Sequence, residues 1–444
     1  MSNPKYRMVR TLALLVTSFV LGSLFASLVF AQEASEPVVA RAQMQLQVGD
    51  KLVDTIEKGD LLTVLEDRGE NYLIVTYNGH RGVVAKVNAV KIIESADIYT
   101  ELIQKNPTDG RLYTLRASAW WALKQHQKAL DDFDRAINLG YDAPHAYSSR
   151  GMFHAAMGDF DEAIKDYTTA LERDTEKEDF SPLLNRAAVY MTLQNFPAAI
   201  TDYDEVILRK PDLASAYQQR AVAHKLNGDL EKAVSDFDQA IELSPKNVSA
   251  LMSRGFVHFQ QSDHARAVED FAAVIAIEPR AAAAYNNRGF NLQKLGKTVE
   301  ALADYNKAIE LAPDYALAYQ NKAWLLVTAN DPQLGNASVA IEAATKAGEL
   351  NNFAIISDLA AMAAALAADE QFEEAIGWQE KVLEMAAEDR KPYAEKVLAL
   401  YQDHKPFDPK LADGDASKKD AKEDGAPANS ESDTDPKPTS SEDE

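Results

Sequence analysis

The chain has 444 residues, of which 46% are hydrophobic, so it can bury a substantial core spread over about two to four domains. Its 46 basic and 69 acidic residues give a net charge of -23, which repels phosphate backbones and anionic membranes and argues against nucleic acid as a ligand. The absence of cysteine excludes thiolate nucleophiles, thiolate metal sites and disulfides, so stability must come from packing.

Residues 1–31 have the composition of a secretory leader. The segment opens with three basic residues, Lys5, Arg7 and Arg10. An uncharged run follows over residues 11–31, and the compact Val29 and Ala31 at its end suit a leader-peptidase site. This order predicts export to the periplasm, the envelope or the medium. At about twenty residues the run can also span a bilayer, so an uncleaved membrane anchor is the alternative.

Residues 44–93 contain short β-rich runs separated by turn residues, which predicts a compact β module. The runs cover residues 61–65, 72–77 and 81–85. Asn78 and Gly79 lie between the last two runs, and both tolerate the positive φ of a type I′ turn, so we expect a two-residue hairpin. About fifty residues suffice for a five-stranded barrel.

The sequence of residues 58–66, 70–73 and 82–84 resembles bacterial SH3-like domains. The resemblance implies a small all-β barrel that binds peptides or cell-wall glycopeptide, with Tyr72, Tyr77 and Val83 on its ligand surface. Tyr72 and Val83 stand where such domains commonly place the tryptophans of the ligand groove. A spacer or docking module without a ligand of its own is therefore the alternative.

From Leu112 onward the chain repeats with a period of 34 residues, one interval being 36. Small residues fix the register, at Ala117, Gly151, Ala187, Ala221, Gly255, Gly289 and Ala323. An alanine follows twelve residues after each of the first six, and an aromatic residue follows four residues later. This spacing predicts two antiparallel helices per unit, because the small residue lets them approach and the aromatic ring fills the remaining gap.

The pattern resembles the tetratricopeptide repeat, whose signature positions are matched by Tyr285, Gly289, Ala301, Tyr305 and Pro313. The resemblance covers residues 97–402. It implies a mainly α fold, a helical solenoid of about eight repeats with a C-terminal capping helix, which presents a surface to a protein or peptide partner. We also expect an inserted turn at residues 330–335, an eighth unit from residue 356 and a final helix over residues 390–402.

Beyond residue 405 apolar residues nearly vanish. Residues 411–444 contain eleven acidic residues and four lysines, together with several prolines and serines, and cannot form a core. The composition predicts a disordered acidic tail over residues 405–444.

Histidine is the first candidate for metal binding or catalysis, and His154, His224 and His258 occupy one position in three different units. Tyr190 takes that position in another unit. Equivalent positions of stacked repeats lie about 10 Å apart, whereas zinc ligands must reach one ion at about 2 Å. We therefore predict packing side chains, without a metal or cofactor. The sequence also contains no phosphate loop, nucleophile elbow or His-Glu-x-x-His segment, so we expect no enzymatic activity.

Arginines and aspartates recur in step with the repeats. The arginines precede the small residues, at Arg116, Arg150, Arg186, Arg220, Arg254 and Arg288, and the aspartates precede the aromatics, at Asp132, Asp166, Asp202, Asp236, Asp270 and Asp304. An anion-binding track is one interpretation of the arginines. Structural ion pairs explain both sets at once, and we favour them.

One stripe of the first helices varies between units, and in tetratricopeptide arrays it would line the concave groove. It contains Met252, Phe256, Phe259, Asn286, Phe290, Gln293, Gln320 and Trp324. We predict that these residues bind the partner, because exposed apolar patches usually mark interfaces. The alternative is that Phe256 and Phe290 fill gaps between neighbouring first helices. The lysines and asparagines that clamp a C-terminal carboxylate in chaperone-binding arrays are replaced here by Thr114, Ser118, Ser148 and Met152, which disfavours that activity.

These patterns together predict an exported, non-enzymatic scaffold or adaptor that holds a protein or peptide in the concave groove. Two alternatives stay open. In the first, a cell-wall-recognition protein acts through the SH3-like domain and uses the repeats as a spacer. In the second, the chain is a regulatory subunit of an envelope enzyme.

Overall fold

A computed structural model describes residues 36–48, 51–177, 179–329 and 336–409. Over these residues seven β-strands precede eighteen α-helices, so the chain is mainly α with a β-rich region before the helices, as predicted. The chain divides into two compact units, residues 1–223 and 224–444. None of the described helices has the length and apolar character needed to cross a membrane. The predicted leader, the inserted turn at residues 330–335 and the tail from residue 410 onward lie outside the described residues.

The β-rich region belongs to the first unit. Its strands are β1 Val38–Ala40, β2 Met44–Val48, β3 Lys51–Ile56, β4 Leu61–Arg68, β5 Asn71–Val75, β6 Arg81–Ala85 and β7 Ala89–Lys91. Five of them form an antiparallel sheet in the order β6-β5-β4-β1-β7, and β2 pairs with β3 as a separate hairpin. β1 precedes the predicted start at residue 44 and lies inside the sheet, because it pairs with both β4 and β7. Its Val38 and Val39 side chains are buried.

The predicted type I′ hairpin at Asn78 is wrong. The turn between β5 and β6 is longer, since the Thr76 N–H donates to the His80 carbonyl at 2.9 Å and only Gly79 has a positive φ, of 83°. Asp54, from β3, organises this turn: its carboxylate accepts hydrogen bonds from the Thr76 hydroxyl at 2.5 Å and the Asn78 amide at 3.0 Å. This contact spans more than twenty residues of sequence, so a local pattern could not reveal it.

The helices confirm the predicted repeat periodicity. They are α1 Ala96–Lys105, α2 Gly110–Ala122, α3 His126–Asn138, α4 Pro144–Met157, α5 Phe160–Arg173, α6 Ser181–Thr192, α7 Phe196–Arg209, α8 Ala214–Asn227, α9 Leu230–Leu243, α10 Val248–Gln260, α11 His264–Ile277, α12 Ala282–Lys294, α13 Thr298–Leu311, α14 Ala316–Thr328, α15 Ala337–Leu350, α16 Ile356–Ala368, α17 Phe372–Met385 and α18 Lys391–Gln402. Several begin at a side-chain cap, as where the Asn247 amide oxygen accepts from the Ala250 N–H. The predicted eighth unit is α16 with α17, and the predicted final helix is α18.

The small residues lie where the two helices of a repeat touch. A Cβ added to Gly255 would lie 2.9 Å from the Phe271 ring, and one added to Gly289 would lie 3.0 Å from the Tyr305 ring. Real Cβ atoms rarely approach a neighbour that closely, so the predicted pairing of a small residue with a large aromatic determines how tightly the helices pack.

The β-rich region and the first helices of the first unit share one core. Val39 and Val90 from the sheet pack in the same buried cluster as Tyr99 of α1 and Leu112 of α2. The Tyr99 hydroxyl also donates to the Gly59 carbonyl at 3.2 Å. The β-rich region is therefore joined to the helices by buried apolar contacts.

Candidate functional site

The predicted groove stripe lies on α10, α12 and α14 of the second unit, but most of it is covered. Five of its eight residues are buried: Met252, Phe256, Asn286, Phe290 and Gln320. Only Phe259, Gln293 and Trp324 are partly exposed. The five buried residues therefore do not belong to an exposed apolar patch of the kind that the sequence predicted.

The aromatic residues of the stripe pack against each other and against second helices. The Phe256 ring lies edge-on to Phe271 of its own repeat, with ring centres 5.7 Å apart. Phe259 of α10 contacts Phe290 of α12 in the same manner at 5.6 Å, and the Lys294 ammonium lies 5.2 Å from the Phe290 ring centre. Phe256 and Phe290 thus fill gaps in the packing, which was the alternative interpretation of these two residues.

The polar residues of the stripe form buried hydrogen bonds between consecutive first helices. The Asn321 amide donates to the Asn286 side-chain oxygen at 2.9 Å, although Asn286 is 0% exposed. The Gln320 amide donates to the Asp358 carboxylate at 3.0 Å, and Asn351 donates to the other oxygen at 2.7 Å. Burial raises the pKa of Asp358, and the two donors oppose that effect. Buried amides need partners, so these bonds fix the alignment of α12, α14 and α16.

The third partly exposed residue, Trp324, is contacted by the segment that follows α18. After α18 the backbone turns, with the Lys405 N–H donating to the Leu400 carbonyl at 2.9 Å. Phe407 meets the Trp324 ring edge-on, with centres 5.3 Å apart. We name residues 403–409 the C-terminal strap. The strap overlaps the start of the predicted tail at residue 405, and Phe407 is its contact with α14.

Five of the six predicted ion pairs can be described atom by atom. In each, the arginine donates through Nε and Nη2 to both oxygens of the aspartate, a geometry that holds the carboxylate firmly. The pairs are Arg116 with Asp132, Arg150 with Asp166, Arg186 with Asp202, Arg254 with Asp270 and Arg288 with Asp304. These arginine charges are therefore balanced within the repeats.

Comparison with protein families matches the tetratricopeptide repeat over residues 150–215, 214–247 and 282–315. The chain contains tetratricopeptide repeats. Over 85 residues it is 33% identical to the TPR repeat-containing thioredoxin TDX of Arabidopsis thaliana, a match that covers 19% of this chain and 22% of that protein. Over 90 residues it is 30% identical to the Hsp70-Hsp90 organizing protein 3 of the same plant, covering 20% and 16%. The chain thus spans about a fifth of the length of these relatives.

Two solved structures are also similar to the chain. A tetratricopeptide repeat protein from Parabacteroides merdae is 20% identical with a TM-score of 0.38, over 68% of this chain and 98% of that one. YrrB, described as a TPR protein with an unusual peptide-binding site, is 22% identical with a TM-score of 0.31, over 51% and 98%.

Different residues stand at the positions that clamp a carboxylate in chaperone-binding tetratricopeptide arrays. Thr114, Ser148 and Met152 are buried. The Thr114 hydroxyl donates to the Arg111 carbonyl at 2.8 Å, and the Ser118 hydroxyl donates to the Thr114 carbonyl at 3.3 Å. These two hydroxyls therefore bond within their own helix.

The recurrent histidines of the tetratricopeptide repeats lie beside carboxylates of their own repeats. His224 and His258 are buried, and Nε2 of His258 lies 3.9 Å from the Asp270 carboxylate. Within the described residues no group of three or more histidine, aspartate or glutamate side chains could hold a metal ion. The burial of these side chains agrees with the packing role predicted for them.

The predicted SH3-like surface does not form one face. Tyr72 pairs with the buried Val84 and packs toward the core, whereas Val83 pairs with Leu73 and is 51% exposed. Neighbouring residues of a strand point to opposite faces, so Tyr72 and Val83 cannot line the same groove. Tyr77 is half-buried just beyond β5. The SH3-like assignment itself stays a prediction.

Proposed function

We propose that this chain is a non-enzymatic scaffold whose tetratricopeptide repeats bind a protein or peptide partner. Such repeats commonly mediate protein–protein interactions, and their fold is generally non-enzymatic. One relative is named for organizing two chaperones, Hsp70 and Hsp90. The observation that carries the proposal is the contact between Trp324 and Phe407, because a surface of the second unit there accepts an aromatic side chain from an irregular segment.

We further propose that the scaffold works outside the cytoplasmic membrane. The support is in the sequence alone, where three basic residues precede the uncharged run of residues 11–31. N-terminal sequencing of the purified native protein tests this proposal, with Gln32 as the expected first residue. Recovery of Met1 or Ser2 from the membrane fraction would instead favour the anchor.

Affinity capture from the native envelope fraction tests the binding role. The full-length chain serves as bait, and Trp324→Ala is compared with Leu208→Ala, a control that removes a side chain 77% exposed on α7 of the other unit. We expect the wild type and the control to retain a common partner and Trp324→Ala to lose it. Thermal melts of each bait verify folding.

Two results would contradict the proposal. Failure of the wild type to enrich any protein would remove the scaffold role. If Val83→Glu abolished capture while Trp324→Ala did not, binding would belong to the β-rich region, as in the cell-wall-recognition alternative. Val83 suits this comparison because its exposed side chain contributes little to the core.

A further inference from the structure

The C-terminal strap contacts the array in the way that a short bound peptide would. Within residues 405–409 only Phe407 is partly buried, and its four neighbours are exposed. Those neighbours are Lys405, Pro406, Asp408 and Pro409. Within these five residues, Phe407 is therefore the apolar side chain that contacts the repeats.

The surface under Phe407 is apolar and built by several helices of the second unit. Phe407 contacts Trp324 of α14, and both side chains pack against the same buried core as Val327 of α14, Phe372 of α17 and Leu400 of α18. The His404 ring lies 5.1 Å from the Phe372 ring. An aromatic side chain seated among aromatic and aliphatic groups is the usual energetic centre of a peptide interface.

The flanking prolines favour an extended strap. Proline fixes its own φ and lacks an N–H, so the segment cannot continue α18 as a helix. Residues 405–408 are in neither a helix nor a strand. A pre-extended segment loses less conformational entropy when its single anchor binds, which suits a ligand that is exchanged.

We infer that the surface around Trp324 is a docking site for an extended peptide with an aromatic residue beside a proline, and that Phe407 occupies it until such a peptide replaces it. This inference rests on the proposed function and specifies the partner. Because the strap follows α18 within a few residues, its effective concentration at the site is on the order of millimolar. An external peptide must therefore compete with a ligand that is always present.

Peptide binding in trans tests the inference. The probe is a fluorescein-labelled peptide with the sequence of residues 403–409, and its control carries alanine in place of phenylalanine. The full-length Phe407→Ala variant should bind the probe at least about tenfold more tightly than the wild type, because the competing side chain is gone. Lys405→Ala, a matched change at an exposed strap residue, should bind like the wild type. Adding Trp324→Ala to Phe407→Ala should abolish binding.

A second measurement keeps the wild-type contact intact. The chain lacks cysteine, so Pro409→Cys gives a single site for a bimane label, which tryptophan quenches on contact. Excess unlabelled strap peptide should relieve the quenching, and Trp324→Phe should remove it from the start. Equal probe binding by the wild type and Phe407→Ala, no binding by either, or emission unchanged by peptide would each overturn the inference.

The two proposals fail separately. If Phe407→Ala captures the native partner no better than the wild type while Trp324→Ala loses it, the scaffold role stands and strap competition is wrong. If the strap peptide exchanges as expected but no partner is captured, the docking site stands and the scaffold role is wrong.

Discussion

Burial determines the charge of His145 in the first unit. Its Nε2 lies 2.7 Å from the Tyr141 hydroxyl, and burial lowers its pKa from 6.5 to about 4, a shift that the negative charge of Asp179 opposes. The unfolded chain therefore binds a proton more readily than the folded one between these two values. The contribution to stability is complete above pH 6.5 and is lost as the pH falls toward 4.

We predict that His145→Gln removes this part of the pH dependence. A shift of this size corresponds to about 3 kcal/mol of unfolding free energy between pH 7 and 4. Urea melts at several pH values measure it, with His404→Gln as a control at an exposed histidine. Equal loss of stability on acidification in the wild type and His145→Gln would contradict the assignment.

Single residues also mark the limit of sequence-based prediction here. The periodic arginines and aspartates could be paired correctly, because each pair lies within one repeat, sixteen residues apart. Burial of Asn286 could not be predicted, since its partner Asn321 lies 35 residues away on another helix. Phe407 was missed for a related reason, because a lone phenylalanine among lysine, proline and aspartate has the composition of a tail.

At the level of elements, the paired arginines also connect consecutive repeats. Arg150 Nη1 donates to Asp134 of the preceding repeat at 2.6 Å, and Arg254 Nη1 donates to Asp238 at 2.5 Å, again with an offset of sixteen residues. The corresponding position before Arg288 is Ala272 on α11. This link between repeats therefore has no acceptor side chain at residue 272.

We predict that Ala272→Asp supplies the missing acceptor. Aspartate is a poorer helix former than alanine, so the matched comparison is Ala272→Asn, which has nearly the same shape and helix propensity but no charge. The aspartate variant should be more stable than the asparagine variant by about 0.5 kcal/mol, and salt should reduce the difference. Denaturant titrations at low and high salt measure both effects, and equal stability of the two variants would argue against the link.

The junction between the β-rich region and α1 allows another element-scale prediction. Gly59 has a φ of 88°, and a Cβ there would lie 2.5 Å from the Leu102 side chain. Gly59→Ala should therefore cost about 2 kcal/mol or more, through both backbone strain and the clash. Gly69→Ala is the control, since Gly69 has a φ of 71° but no heavy atom within 4 Å of an added Cβ. A thermal melt in which both variants lose the same stability would contradict the close contact.

At the scale of the whole molecule, the helical repeats were predicted almost to their ends, because one spacing recurs from Leu112 onward and each repeat needs the same packing. Side-chain exposure was not predictable in this way. Whether Phe259 or Phe290 is open depends on how far neighbouring first helices approach, and that distance depends on contacts between repeats. The type of the turn after β5 was predicted wrongly for the same reason, since Asp54 organises this turn from another strand.

We predict that deletion of residues 411–444 leaves the melting temperature unchanged within about 1 °C, because this segment contains almost no apolar residues. Deletion from residue 391 onward removes α18 with its buried Val397 and Tyr401, and should lower the melting temperature by several degrees, since terminal helices cap the stack. Differential scanning calorimetry of both truncations distinguishes the two effects. A large loss in the shorter deletion would mean that the tail packs on the array.

The sixteen-residue offset of the arginine contacts bears on how such an array can change in length. Arg150 and Arg254 each bind an aspartate of their own repeat and one of the repeat before it, so every bond refers only to an immediate neighbour. A gene duplication or deletion of one whole 34-residue unit would recreate the same bonds at the new junction. The one 36-residue interval also keeps a contact of this kind, because Arg186 Nη1 donates to the Thr168 hydroxyl at 2.7 Å over an offset of eighteen residues. The charge network thus permits inheritance of the array in whole units.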